Sequence, residues 1–306
     1  MKIAMVFLQL LLFIVFAPFL SGLIAKIKNN IRMRKGQSIF QPYYNLIKLF
    51  GKGDVVSGTA SWIFRAAPFV VFASTLAAAA LIPVLIFSSP ANHMGDFLAL
   101  IFIFALGRFF MALAALDTGS SFGGMGSSRE MFISSLVEPA LCLVVFAISL
   151  GFGSTDISAF SGMHAVPVSS LVAGIALFLI VIAETSRIPV DNQETHLELT
   201  MVHEAMVLEY SGRSLALIEM SSYVKQMIWF FLIAQIIFPI PLPGFAGLTQ
   251  LSLWGLWYLA RIIIIAVIVA LVEVSVAKMR LFRVVDFLGF AFVLGIIAVV
   301  CAIQGV

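Results

Sequence analysis

Long apolar runs alternate with short polar segments along the whole chain. Runs near the roughly 20 residues that an α-helix needs to cross a hydrocarbon core fall at about 3–25, 66–87, 97–116, 132–152, 168–185, 224–241, 254–275 and 285–304. They predict an all-α integral membrane protein with eight transmembrane helices, a single polytopic domain over residues 1–306. The fifth run is short. The sixth is broken at its far end by Pro239, Pro241 and Pro243, which lack the N–H that a helix interior uses. The first run, MKIAMVFLQLLLFIVFAPFLSG, has one early lysine and no small-residue cleavage site before Lys26, so it reads as a crossing helix rather than a leader. Composition agrees: 62% of residues are hydrophobic and 11% charged, unlike a soluble domain.

The polar segments separate by charge. Connectors 26–65, 117–131, 186–224 and 276–284 hold Lys26, Lys28, Arg32, Arg34, Lys35, Lys48, Lys52, Arg65, Arg129, Arg187, Arg213, Lys278, Arg280 and Arg283, with Lys225 just beyond the third. The intervening segments 88–96, 153–167 and 242–253 hold no Lys or Arg. By the positive-inside rule both termini lie outside and the basic connectors lie in the cytoplasm, which implies the cytoplasmic (inner) membrane. The net charge of +3 is therefore a topology signal and calls for no nucleic acid.

Two connectors predict amphipathic helices. In QPYYNLIKLFGKG, Tyr43, Leu46, Ile47 and Phe50 share one helical face, as in an interfacial helix anchored by Tyr43 and Tyr44. It serves as an anchor or as the rim of a docking surface. The stretch from Glu184 to Gly212, ETSRIPVDNQETHLELTMVHEAMVLEYSG, concentrates charge between two apolar runs. A solvated loop would explain the charge. Helical spacing of Leu197, Met201, Ala205 and Leu208, widened by Val202 and Met206, predicts a helix instead. Asp191 or Asn192 would cap its start, Gly212 would end the structure that follows, and Glu194 and Glu198 would project from the polar face.

Cysteine and histidine usage excludes several chemistries. Cys142 and Cys301 lie singly in apolar runs, so this chain alone has no ligand set for an iron–sulfur cluster. His203 and Glu204 begin like the zinc pattern HExxH, but Val207 stands where the second histidine belongs. His93 and His164 stand alone in outside connectors. With no redox centre of its own, the chain would leave any redox chemistry to partner subunits.

Ionisable residues inside the apolar runs carry the functional signal. Arg108 lies mid-run, where a charge costs on the order of 3 kcal/mol even on a lenient insertion scale. Together with Glu138, Glu184, Arg261 and Glu273 it makes five such groups. Structural ion pairs, such as Arg108 with Glu138, are the reading for the two arginines, with Asp117 and Arg129 as further pairing candidates at the run ends. Glutamates outnumber arginines, and a carboxyl group at depth can take up and return protons, so a proton or ion path is the reading for Glu138, Glu184 and Glu273. Between Arg108 and Glu138, the segment TGSSFGGMGSSRE is either a flexible loop or a place where another backbone comes close, because glycine permits that approach.

These segments also resemble a known family. ETSRIPVD resembles the ETNRxPFD-type segment of the complex I membrane subunit that adjoins the quinone cavity, and LEYSG resembles its TEYSG. The spacing from Arg129 to Glu138 fits that subunit as well. The closer similarity is to the homologous subunit, of the subunit 4 type, of energy-converting nickel–iron hydrogenases and formate hydrogenlyases. RFFMALAALDTGSSFGGMGSSRE, Arg108 to Glu130, resembles that branch's RFFxALxxLDTGSxFxGxGxSRE, and THLELTMVHEAMVLEYSG resembles its lengthened loop.

The resemblance implies a non-catalytic membrane anchor and coupling subunit of an oxidoreductase complex, linking cytoplasmic redox chemistry to proton or sodium translocation. Glu138, Glu184 and Glu209 match glutamates of a hydrophilic axis, and Glu130, Glu204 and Glu273 are taken with them as path candidates. Arg187, Asp191, Glu194, His196, Glu198 and His203 fall in the charged loop facing the peripheral arm. Iron–sulfur clusters and the nickel–iron centre would sit on cytoplasmic hydrogenase large, small and iron–sulfur subunits, with antiporter-like subunits beside this chain in the membrane. His196 and the stretch 200–208 depart from complex I, which weakens the case for its quinone cavity and leaves a lipid or quinone in the homologous hollow open. A quinone-site subunit of complex I is the alternative. A free-standing secondary transporter is the weaker one, because no internal repeat with matching broken helices is present.

Overall fold

The structure is a computed structural model that describes residues 2–82, 96–157, 167–191, 201–238 and 247–305. Ten helices follow in order: α1 Lys2–Ile31, α2 Gln41–Phe50, α3 Trp62–Leu81, α4 Phe97–Asp117, α5 Ser121–Phe152, α6 Val168–Glu184, α7 His203–Val207, α8 Gly212–Ile237, α9 Gly247–Ser275 and α10 Leu281–Gln304. Among the described residues there are no strands, only an isolated bridge between Asp96 and Asp156. Among the described residues seven helices, α1, α3–α5 and α8–α10, are long and apolar enough to cross a membrane, and α6, at 17 residues, is a shorter apolar helix. The protein is an all-helical, multi-pass membrane protein.

Helix α8 is the central element. It packs against α1, α2, α3, α6 and α9, and every residue from Gln226 to Ile236 is buried. A helix apolar on all sides has to be enclosed by protein or lipid, and here neighbouring helices enclose it. By contrast α10 packs on α5 and α6 and turns Phe282, Phe290, Val293 and Ile303 outward. In α1, Pro18 disturbs the hydrogen-bond ladder of the preceding turn, where the Tyr43 hydroxyl of α2 donates to the Val15 carbonyl. The Gln9 amide donates to the carbonyls of Ala79 and Ile82 at the end of α3, groups that the helix itself leaves without a partner.

Several sequence expectations shift. Helix α1 runs to Ile31, and α8 begins at Gly212, a full three turns before the apolar run at 224, so Lys225 lies inside a helix rather than in a connector. The glycine-rich segment after Asp117 is the start of α5, not a loop. Close approach is what its glycines provide: a Cβ on Gly123 would fall 2.4 Å from the Ala115 carbonyl oxygen, and one on Gly126 would fall 2.9 Å from Ala205 and 3.1 Å from the Met206 backbone. Helix α2 forms as expected, but its face divides, with Leu46 buried against the bundle while Ile47 and Phe50 stay exposed.

The expected amphipathic helix after Asp191 is reduced, within the described residues, to the five residues of α7. Asn192, Glu194, His196, Leu197 and Glu198 lie outside the described residues, as do His93, His164 and the prolines at 239, 241 and 243. Met201 and Val202 are buried but not helical. Gly212 opens α8 instead of closing the preceding segment.

The basic connectors gather at one end of the bundle. Tyr210 stacks on Phe64 at 4.0 Å between ring centroids and donates to the Phe64 carbonyl at 3.0 Å. Ser211 Oγ accepts from the Val55 N–H at 2.7 Å, and the Asp54 carboxylate accepts from the N–H and hydroxyl of Ser214, capping α8 from a distant connector. Gly212 has φ +51°, and a Cβ there would meet the Gly53 carbonyl oxygen at 2.4 Å. Gly212→Ala should therefore destabilise the protein by about 1–3 kcal/mol. A fall in the thermal midpoint of the detergent-purified protein, larger than that of Ser211→Ala, checks this.

Candidate functional site

The site forms where α6 ends. Thr185 caps the helix, Ser186 adopts φ +50°, its N–H bonds the Ala183 carbonyl, and the Arg187 N–H reaches back to Ile182 at 3.0 Å. This paired closure usually places glycine at the left-handed position, and here a serine occupies it. The next residues turn tightly, with the N–H groups of Val190 and Asp191 both on the Arg187 carbonyl and a cis bond between Ile188 and Pro189. Glu184, Arg187 and Asp191 are all buried.

Each of these three side chains meets opposite charge from another part of the chain: Glu184 from α4 and α8, Arg187 from α9, and Asp191 from the connector between α9 and α10. Glu184 receives Arg108 of α4 at 2.9 Å on one oxygen and Lys225 of α8 at 2.7 Å on the other. Arg108 also bonds Ser134 at 2.8 Å and stands 3.6 Å from Glu138, both on α5. Arg187 donates to Glu273 of α9 at 2.7 Å and to Gln226 of α8 at 2.7 Å, while Lys28 of α1 reaches the other Glu273 oxygen at 2.7 Å. Asp191 pairs with Lys278 at 2.7 Å and accepts from the N–H groups of Val202 and His203 at the start of α7. Consecutive residues of α8, Lys225 and Gln226, thus join two buried charge clusters, one centred on Glu184 and the other on Arg187 and Glu273.

The expected pairing of Arg108 with Glu138 is present, although Glu184 is the nearer partner. Other expected ion pairs are not found among the described residues. Arg261 is buried but donates to the Phe238 carbonyl and lies over the Tyr258 ring at 4.3 Å. The end of α8 and an aromatic face stabilise that cation in place of a carboxylate. Asp117 accepts from the Ser61 N–H at 2.7 Å, and Arg129 donates to the Met201 carbonyl at 2.8 Å. These two therefore hold connectors together through the backbone. Glu130, Glu204 and His203 are half-buried, and Glu209 is exposed, outside the buried clusters.

Three lysines read from sequence as connector charges, Lys28, Lys225 and Lys278, turn out to be counter-ions of the site. With these lysines counted, the carboxylates of the site no longer outnumber its cations. Lys28 could have been found one turn beyond Ile24 on α1, both buried. Lys225 and Gln226 open the apolar run at 224, and extending the helical pattern back through Leu215 and Ile218 places them well inside a helix. Opposite charges at contact distance in a low-dielectric interior attract strongly, but each also loses hydration, so the assembly is stable only when every member is paired.

An apolar cavity of about 570 Å³ lies elsewhere, lined by Leu98, Pro139, Cys142, Phe146, Thr155 and Phe292. Leu98 and Thr155 place it toward the end of the bundle opposite the basic connectors. It does not adjoin the 185–191 turn.

Comparison with known proteins agrees with this architecture. A family described as NADH dehydrogenase matches residues 2–304. Hydrogenase-4 component C of Escherichia coli (strain K12) is 32% identical over 92% of this chain and 91% of its own. Formate hydrogenlyase subunit 4 of the same organism is 30% identical over 90% of each. Among solved structures, a chain of the membrane-bound sulfane sulfur reductase, an archaeal respiratory membrane complex, superposes with a TM-score of 0.79 at 21% identity, covering 97% of this chain and 99% of that one. That likeness concerns the fold.

The paired site makes a stability prediction. Glu273→Ala removes the carboxylate that Lys28 and Arg187 share and should cost about 3–5 kcal/mol. Glu273→Gln keeps an acceptor for Arg187 and should cost less. Thermal denaturation of the purified variants in one detergent measures both, and equal losses would contradict the pairing argument.

Proposed function

This chain belongs to the NADH dehydrogenase family, and from that premise we propose that it is the membrane anchor and coupling subunit of a hydrogenase or formate-hydrogenlyase-like complex. The observation that carries the reading is Glu184, sealed from solvent between Arg108 and Lys225 at the point where a charged turn closes over α6. Two relatives named for hydrogenase-4 and formate hydrogenlyase, alike over nine-tenths of the chain, support the choice of complex. Redox chemistry would occur on cytoplasmic partners carrying iron–sulfur clusters and a nickel–iron centre. These partners would dock over the 26–65, 117–131 and 186–224 segments, while antiporter-like subunits extend the membrane arm.

In this reading the chain crosses the inner membrane eight times, with α6 as a short crossing, and both termini lie outside. Gathering of the basic connectors at one end of the bundle supports that orientation. Electron transfer in the docked partners shifts the 186–212 segment. Because Arg187 and Asp191 in that segment hold Glu273, Gln226 and Lys278, the movement reaches the buried clusters and changes which carboxylates, Glu184 and Glu138 first, carry protons.

Glu184→Gln is expected to abolish ion pumping by reconstituted complexes while soluble-dye hydrogenase activity is largely kept, and pumping at the unaltered rate would remove the assigned role. A mild-detergent pull-down with metal analysis tests the choice of complex. Nickel and iron with a hydrogenase-like large subunit are expected. Iron without nickel, together with NADH-oxidising subunits or bound quinone, would move the chain to the complex I reading that the family description favours.

A further inference from the structure

Four charged side chains from four helices form one line, and only its two ends are open. Lys225 and Glu138 are 21% and 46% exposed, whereas Arg108 and Glu184 between them are 8% and 1% exposed. Contacts along the line are 2.7 Å from Lys225 to Glu184, 2.9 Å from Glu184 to Arg108 and 3.6 Å from Arg108 to Glu138. From this arrangement we infer that Lys225 is the group at which a proton enters the buried network, and that the proton leaves through Glu138. The inference rests on the coupling role proposed above and names its proton carrier.

Charge counting supports a lysine over a glutamate as the entry point. With both carboxylates ionised, Lys225, Arg108, Glu184 and Glu138 together carry no net charge. A proton added to Glu184 from outside would leave Arg108 and Lys225 facing a neutral acid, with an uncompensated cation in the interior. Arg108 cannot relieve this, because a guanidinium keeps its proton in proteins. A proton moved along the line leaves the sum unchanged. An N–H bond at Lys225 Nζ breaks as an O–H bond forms on Glu184 Oε2, converting ammonium to amine and carboxylate to acid. Glu184 then gives its proton toward Glu138, returns to the carboxylate paired with Arg108, and leaves Glu138 neutral. Glu138 releases that proton at its exposed side and becomes a carboxylate again, and the amine of Lys225 takes the next proton from water on its own exposed side, which restores the neutral line.

The middle of the line is built for that second transfer. Arg108 Nη1 donates both to Glu184 at 2.9 Å and to the Ser134 hydroxyl at 2.8 Å, so the two acceptors share one nitrogen. Ser134 stands one helical turn before Glu138 on α5. A hydroxyl can accept one proton while donating its own, so Ser134, held on the same Arg108 nitrogen as Glu184, is the group assigned the relay toward Glu138. Lys225 is held at the entrance by the Phe104 ring, 5.7 Å from its nitrogen, as well as by Glu184.

The discriminating variant is Lys225→Arg. Arginine keeps the positive charge and the pairing with Glu184 but does not release a proton, so a merely structural lysine would be replaced without loss. The complex purified through this chain would be reconstituted in vesicles, with proton uptake followed by a pH-sensitive dye and turnover by a soluble redox dye. Lys225→Arg is expected to keep dye turnover and lower proton uptake about 100-fold, the scale of losing a positioned acid–base group. Uptake at the unaltered rate overturns the inference. If Lys225→Arg does not assemble, Lys225→Met, which leaves Glu184 paired with Arg108, carries the test with the same expected loss and the same overturning result. Glu184→Gln run in parallel separates the two readings. Uptake lost in Glu184→Gln but kept in Lys225→Arg removes only the carrier role of Lys225, and uptake kept in Glu184→Gln removes the coupling role itself.

Discussion

An ionised carboxylate cannot be enclosed among apolar helices unless cations come with it, and the arrangement of this bundle follows from that requirement at Glu184 and Glu273. Each is held by two cations from separate helices, so α4, α6 and α8 are tied at one carboxylate and α1, α9 and the 185–191 turn at the other. Removing a carboxylate takes the shared partner from two buried cations at once, which costs several kcal/mol, whereas removing one cation leaves the carboxylate on the other. The attraction is therefore less a surplus of stability than a condition on geometry. It fixes the depth and rotation of α8, whose neighbouring residues Lys225 and Gln226 serve both clusters.

Close backbone approach supplies the rest of that geometry. Gly123 lets α5 begin directly against the end of α4, Gly126 lets α7 lie on α5, and Gly212 lets α8 begin on the 51–57 connector. A small second core of Phe64, Met111, Met206, Tyr210 and Ile218 sits beneath these contacts. Together they join the end of α4, the start of α5 and the 201–214 segment into one packed region. Close-packed interiors transmit strain instead of absorbing it, which is what the coupling role proposed for Glu184 requires of the packing around the charged turn.

Composition and period alone determined that this is a helical membrane protein, because no soluble fold accommodates so many uninterrupted apolar runs. The motifs around Arg108, Glu130, Glu184 and Tyr210 also carried the family, and the mid-run position of Arg108 and the place of Glu184 at the end of an apolar run marked the site. Partner choice was decided only in three dimensions. Glu184 meets Lys225, 41 positions away in the chain, and nothing local in either segment encodes that meeting. Arg261 looked like an ion-pair arginine, yet it takes a helix end and an aromatic face, a choice set by which groups share its depth. Hydrophobic period reports how each helix faces its surroundings. Which charges neutralise one another depends on how the helices rotate and slide against each other, and only their packing sets that.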